Sequence, residues 1–359
     1  MTAFRSRSIL AVAGFALCLG FAPDAVEAQV PQRTPAMEQL IAAAKSEGRV
    51  NLAWSEAIFG GSAGAKRMQQ LLREAYGVDL DVRFTPSASG PAIRKQVYLE
   101  VEAGKPASTN LVFNIDNTVA DGFMPVNWRE FDPSLPPTVS VYDGRGIVFM
   151  SVVAGFVYNT RLVPKDKAPH SLADLLKPEF KGKIAVPPYF GTNSWQIMLP
   201  EVLGREKALE WARAMSKQVT GFIRCGEEDR LLSGEFVVFA MDCGDYEART
   251  RQRKGQPIAH VPPAEGARLD RFPFGIPRTA PQPNAAKLVT MLLLSRKGQD
   301  FMWESMGTDN HELPGSHMAK EMQSFSHVKL FDMISVIEKH KDTWQAMSKE
   351  LDTAMASGR

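Results

Sequence analysis

Short apolar runs of strand length alternate with amphipathic stretches of helix length from Met37 onward, and this alternation restricts the chain to an α/β architecture. A first helix is expected over Met37 to Ser46, a strand over Val50 to Trp54, and a helix over Ala65 to Tyr76 after a glycine-rich turn. Val78 to Phe84 reads as the next strand. It leads through Thr85-Pro86-Ser87-Ala88-Ser89-Gly90 into a helix over Ile93 to Glu102, and Leu111 to Ile115 follows as a short strand. In the second half, Ile147 to Tyr158 reads as one long central or interdomain strand, and Ser171 to Leu176 with Pro178 as a helical and turn region. Ile184 to Val186 and Phe236 to Met241 read as buried strands. Helices are expected over Trp195 to Leu203, Arg205 to Lys217, Leu288 to Leu294, Val328 to Ile337 and Trp344 to Met355. Crossovers of this length predict a mainly parallel sheet covered by helices.

The first 28 residues read separately. Arg5 and Arg7 form a basic start, Ile9 to Gly20 an apolar centre, and Val26-Glu27-Ala28 a small-residue cleavage point before Gln29. The apolar run is far shorter than the roughly 20 residues that span a bilayer, so it is expected to be a secretory signal. Removing 28 of 359 residues leaves 331, enough for two substantial cores, and the net charge stays at +2 because the segment carries two bases and two acids. That balance points to no nucleic-acid partner, and Arg249, Arg251, Arg253 and Lys254 read as a solvated helix end. Of three cysteines, Cys18 leaves with the signal. Cys225 and Cys243 are then expected to pair in an oxidising compartment.

In an open α/β sheet, ligand groups gather where loops leave the carboxyl ends of strands. The expected site residues are therefore Trp54, Ser55, Ser87, Ser89, Asn114, Asp116, Tyr189, Thr192, Ser194, Arg224, Asp242 and Tyr246. Aromatic faces at Trp54, Phe59, Tyr189, Trp195 and Tyr246 suit an organic solute, and Asp116 and Asp242 offer charge-assisted bonds to an ammonium group. The donor-rich loops Ser87-Ala88-Ser89-Gly90 and Gly191-Thr192-Asn193-Ser194, with Arg94 and Arg224, suit a carboxylate or phosphate equally well. The sign of the solute's charge stays open.

The chain resembles bacterial extracellular solute-binding proteins of family 1, which include ferric-ion, thiamine and polyamine binders. The resemblance is carried in order by Met37-Glu38-Gln39-Leu40, Ala44-Lys45-Ser46-Glu47-Gly48, Gly155-Phe156-Val157-Tyr158-Asn159-Thr160 and the run Leu172 to Ile184. It continues through Lys254-Gly255-Gln256-Pro257, Pro283-Asn284-Ala285-Ala286-Lys287-Leu288 and Leu294-Ser295-Arg296-Lys297-Gly298-Gln299. It implies a two-lobed, type II-like periplasmic binding fold with a ligand cleft between lobes. Residues 29–141 would begin lobe 1, 142–255 form the main part of lobe 2, 256–322 return to lobe 1, and 323–359 supply bracing helices. It also implies a monomeric periplasmic protein that closes on a small organic solute and docks on the membrane permease of an ABC importer.

The residues leave three other readings open. A family ferric site uses adjacent tyrosines after the Phe236 to Met241 strand, whereas this chain has Asp245-Tyr246-Glu247 there; Asp242 and Asp245 remain possible oxygen ligands. No Gly-x-Ser-x-Gly elbow, ordered triad or zinc-protease spacing occurs, so no catalytic residue, metal or cofactor is expected. A structural or partner-binding α/β protein without a solute is the third.

Overall fold

A computed structural model describes residues 33–56, 58–87, 90–187 and 195–357, and the signal segment, Ser89, Tyr189, Thr192 and Ser194 lie outside them. The chain opens with α1 (Pro35–Glu47), β1 (Arg49–Trp54), α2 (Gly61–Tyr76), β2 (Asp81–Pro86), α3 (Gly90–Glu102), β3 (Val112–Phe113), α4 (Trp128–Phe131) and β4 (Ser140–Val141). Next come β5 (Gly146–Ala154), β6 (Phe156–Asn159), β7 (Ile184–Val186), α5 (Trp195–Leu203), α6 (Arg205–Ser216), β8 (Val219–Phe222), α7 (Asp229–Leu232), β9 (Val238–Ala240) and α8 (Asp245–Arg253). β10 (Ile258–Val261), β11 (Ala267–Gly275), α9 (Pro283–Leu294), α10 (Arg296–Met306), α11 (His317–Ser324), β12 (Leu330–Asp332), α12 (Met333–Lys339) and α13 (Trp344–Ala356) complete it.

Two five-stranded groupings organise these elements. One sheet runs β12-β11-β5-β4 with β3 on β11; the other runs β10-β6-β9-β7-β8. β1 and β2 pair in parallel beside the first, joined to it by the bridge from Leu52 to Leu111. Each sheet has its own apolar core, the first around Trp54, Phe59, Phe149 and Phe274, the second around Phe156, Trp195, Met198 and Trp211. Among the described residues no helix is long and apolar enough to cross a membrane.

Three features depart from the sequence expectations. The sheets are mixed: β7 runs parallel to β8 and β9, but β5 pairs antiparallel with β11, and β6 antiparallel with β9 and β10. The expected single strand Ile147 to Tyr158 is divided at Gly155, because its first part belongs to one sheet and its second to the other. The expected helix Val328 to Ile337 begins only at Met333, since Leu330 to Asp332 add to the sheet beside Ala267 to Leu269. Local rules hold elsewhere. In α1, Thr34 accepts from Met37 N at the start and left-handed Gly48 returns its N–H to Ala44 O at the end.

The two sheets are thus joined by chain segments that run through both. β5 passes into β6 at Gly155, and β10 returns through residues 262–266 into β11. The C-terminus makes a third link: β12 lies in the first sheet, while α13 packs on α5 and α6 over the second core.

Candidate functional site

The carboxyl ends of β1 and β2 lie side by side, with Trp54 opposite Pro86 in register. Ser87 N donates to Trp54 O at 2.8 Å, which brings Ser55 and Ser87 to one edge. Asn114 follows β3 in a left-handed conformation, φ 54°, and its N–H donates to Pro273 O at 2.8 Å. Asp116 is held internally: its carboxylate accepts from Thr118 N at 3.0 Å and lies 3.4 Å from Arg94, whose guanidinium also donates to Asn114 O. Trp54 is buried in the first core, its ring 5.1 Å from Phe59, because β1 is covered by helix and sheet at that position. It stands behind the strand end as a core residue.

On the other sheet, β7, β8 and β9 run parallel, so their carboxyl ends share one side. Cys225, after β8, and Cys243, after β9, are joined by the expected disulfide with Cα atoms 5.8 Å apart. Because β7 lies between β8 and β9, this bond spans the exit of β7. Arg224 is an exposed side chain next to Glu227. Tyr246 sits in the first turn of α8, packed partly against the first core. The far end of α8 is tied to α10: Arg249 donates to Gly307 O, Thr250 Oγ1 to Met306 O at 3.2 Å and Arg253 to Trp303 O at 2.7 Å. The carbonyls of Met306 and Gly307 are ones that the end of α10 leaves open, while Trp303 O accepts the Arg253 donor in addition to Gly307 N at 3.0 Å.

Asp242, expected to face a solute, is buried, with Oδ1 accepting from Gly155 N at 2.7 Å. Burial raises its pKa, against the pull of His260, the Gly155 N–H and Arg268. Asp245 is equally committed, accepting from Val153 N at 3.2 Å and pairing with Arg249. Among the described residues no group of three or more His, Cys, Asp or Glu side chains is placed to hold a metal ion.

The sequence reading missed the face of β11. Arg268 and Asp270 pair at 2.8 Å, and the Arg268 guanidinium lies 5.8 Å from the Trp195 ring. Phe272, partly exposed, stacks on partly exposed Phe113 with centroids 5.4 Å apart, beside the Asn114 loop. The alternation of Arg268 and Asp270 with Ala267 and Leu269 is the signal that identifies this strand. Two cavities lie elsewhere: a groove of about 470 Å³ along α3 beside Lys95 and Leu99, and a pocket of about 210 Å³ beside Arg296 and Gln299. Neither includes a candidate site residue, and the strand ends carry the better claim because polar groups from several elements converge there.

Glu228, behind the disulfide loop, has its pKa pushed up to about 7, first by burial and then by Glu247, with Arg251 acting in the opposite direction. Its Oε2 lies 3.5 Å from Arg251 without a hydrogen bond, which is why burial prevails over the pairing. A carboxyl group raised on folding gives full stability below its unfolded value and loses it as pH rises through the folded one. Glu228→Gln is therefore expected to raise stability by about 2 kcal/mol at pH ~8 and to change little at pH ~4, read as Tm at both.

The sequence profile of the bacterial extracellular solute-binding protein family matches residues 103–324. The chain belongs to this family. Solved binding proteins share its two-lobed fold. A substrate-binding protein of an ABC transporter from Agrobacterium tumefaciens is 17% identical at a TM-score of 0.67, covering 84% of this chain and 94% of that one. The Trichodesmium protein IdiA (FutA), in complex with iron and citrate, is 16% identical at 0.62, covering 86% and 99%. AfuA from Actinobacillus pleuropneumoniae, with fructose-6-phosphate bound, is 16% identical at 0.61, covering 86% and 97%. No curated protein sequence matches the chain. The family and these neighbours are binding proteins.

Proposed function

We propose that this solute-binding protein is the periplasmic substrate-binding component of an ABC importer, capturing a small organic solute by lobe closure and delivering it to a membrane permease. It acts as an exported monomer without covalent chemistry, and its lobes exchange where the chain passes from one sheet to the other, at Gly155 and at residues 262–266. These crossovers fall later in the chain than the expected boundaries at 141 and 255, because β5 still belongs to the first sheet and β10 to the second.

The observation that carries the organic reading is the Phe113–Phe272 stack beside the Asn114 loop. Two partly exposed phenyl rings offer an apolar surface that a bare ion does not use. Asp116 and Asp242 are engaged within the protein, so neither is reserved for a cationic solute. The preferred ligand has an apolar face and carboxylate, phosphate or hydroxyl groups.

A thermal-shift panel of carboxylates, sugar phosphates, thiamine and polyamines, followed by calorimetry on the best hit, tests this. One saturable organic ligand is expected, and Phe272→Ala should weaken it by about tenfold, the order of an aromatic contact with its buried area. Stoichiometric ferric binding, with a visible absorbance lost in Tyr246→Phe, would replace the organic reading with the ferric one.

A further inference from the structure

The passage between the sheets contains a buried acid and a buried base that face each other without meeting. The side chains of His260 and Asp242 are 6% and 2% exposed, and His260 Nε2 lies 3.7 Å from Asp242 Oδ2. That separation is beyond a hydrogen bond but well within electrostatic reach. Among the described residues, Asp242 Oδ2 and both ring nitrogens of His260 have no hydrogen-bond partner, an arrangement that buried polar groups ordinarily avoid.

Their position gives the pair leverage. Asp242 follows β9, His260 lies in β10, and Asp242 Oδ1 is bonded to the N–H of Gly155, the residue at which β5 becomes β6. Arg268 of β11 donates to Asp242 O at 3.3 Å. Segments of both sheets therefore meet at one carboxyl group, where the chain must bend for the lobes to move.

The charges nearest the pair act on Asp242 in opposite directions, Arg268 lowering its pKa and Asp245 raising it, and each has a partner of its own. Arg268 is paired with Asp270 on β11, and Asp245 of α8 is paired with Arg249, which also faces Glu321 of α11. The ring of Phe325 lies against His260 and carries no charge. A proton shared by the pair gives either an imidazolium beside a carboxylate or two neutral groups able to bond. Loss of that proton leaves a buried carboxylate whose charge is no longer balanced by an imidazolium and which can draw at most on a neutral ring N–H, the costlier state. Burial raises the pKa of Asp242 above its ordinary value, so its favourable contribution is full at low pH and is lost as pH rises.

We propose that Asp242 and His260 form a proton-linked hinge lock: the shared proton draws the two side chains together and fixes the crossover, and its loss frees the lobes to separate. The inference depends on the two-lobed fold and not on the identity of the solute.

Small-angle scattering of the purified, solute-free protein at pH ~5.5 and pH ~8.5, on either side of the histidine range, tests it, with ionic strength fixed and melting curves in parallel. The radius of gyration is expected to be larger at the higher pH in the wild type. It should be equal at both in Asp242→Asn, which keeps the acceptor for Gly155 N but cannot ionise, and in His260→Gln. The His260 ring nitrogen signals of the wild type should change together with the expansion, a readout that does not require either variant to fold. A wild-type radius unchanged between the two pH values, an expansion retained in folded Asp242→Asn, or His260 signals that stay constant while the protein expands would each overturn the lock.

Discussion

Gly155→Ala is expected to destabilise the protein by about 3 kcal/mol, at the upper end of the cost of overpacking, and to weaken solute binding with it. A Cβ at this position would lie 2.4 Å from Val261 O, 2.8 Å from His260 Nε2 and 3.0 Å from Pro262 Cα. Two of these neighbours are backbone, so no side-chain rotation relieves the overlap. Either β5 and β6 separate from the returning strand, or the bond from Gly155 N to Asp242 is lost. Denaturant unfolding with an unchanged m-value and a lower midpoint is the expected result. A variant with the wild-type midpoint and affinity would show that the crossover accommodates a methyl group and that its geometry does not control binding.

Removing the disulfide is expected to cost about 3 kcal/mol by the loop-closure argument, applied to a sequence separation of 18 residues. The double variant Cys225→Ser/Cys243→Ser should melt lower than the wild type, and reductant should lower the wild type to the same point while leaving the variant unmoved. The bond also spans the exit of β7, so its loss lets the loops after β8 and β9 move independently. Solute affinity should therefore fall, through ordering entropy that the bond otherwise removes in advance. Two free thiols in the mass of the purified protein, or a melting point indifferent to reductant, would contradict this account.

Much of the fold was legible from local pattern. Thr34 and Gly48 bracket α1 close to the helix expected at Met37 to Ser46, and the sequence bounds of α5 coincide with the structural ones, because capping and apolar spacing are short-range effects. Pairing direction was not legible. The apolar run Ile147 to Tyr158 contains no local mark that its halves belong to different sheets, since a buried strand reads the same whichever neighbours cover it. β12 reads as helix in the sequence for the same reason: three residues become strand only through their partners on β11.

The candidate site divides in the same way. Ser55, Ser87 and Asn114 stand at strand ends, where their positions in the sequence put them. Trp54 and Asp242 occupy comparable sequence positions, yet one is packed among phenyl rings and the other bonded at the crossover. Phe113 and Phe272 are 159 positions apart by their numbering and meet only because β3 and β11 are paired.

By itself, the sequence determined the alternation of strand and helix, the family resemblance, and the cysteine pair available for cross-linking. Those properties follow from covalent order, local propensity and apolar periodicity. Only the tertiary structure decided that the sheets are mixed, that Gly155 divides a strand between them, and that Asp242 turns inward to face His260. These outcomes depend on contacts between segments far apart in the chain, where burial and backbone pairing choose among side-chain roles that local chemistry leaves equal.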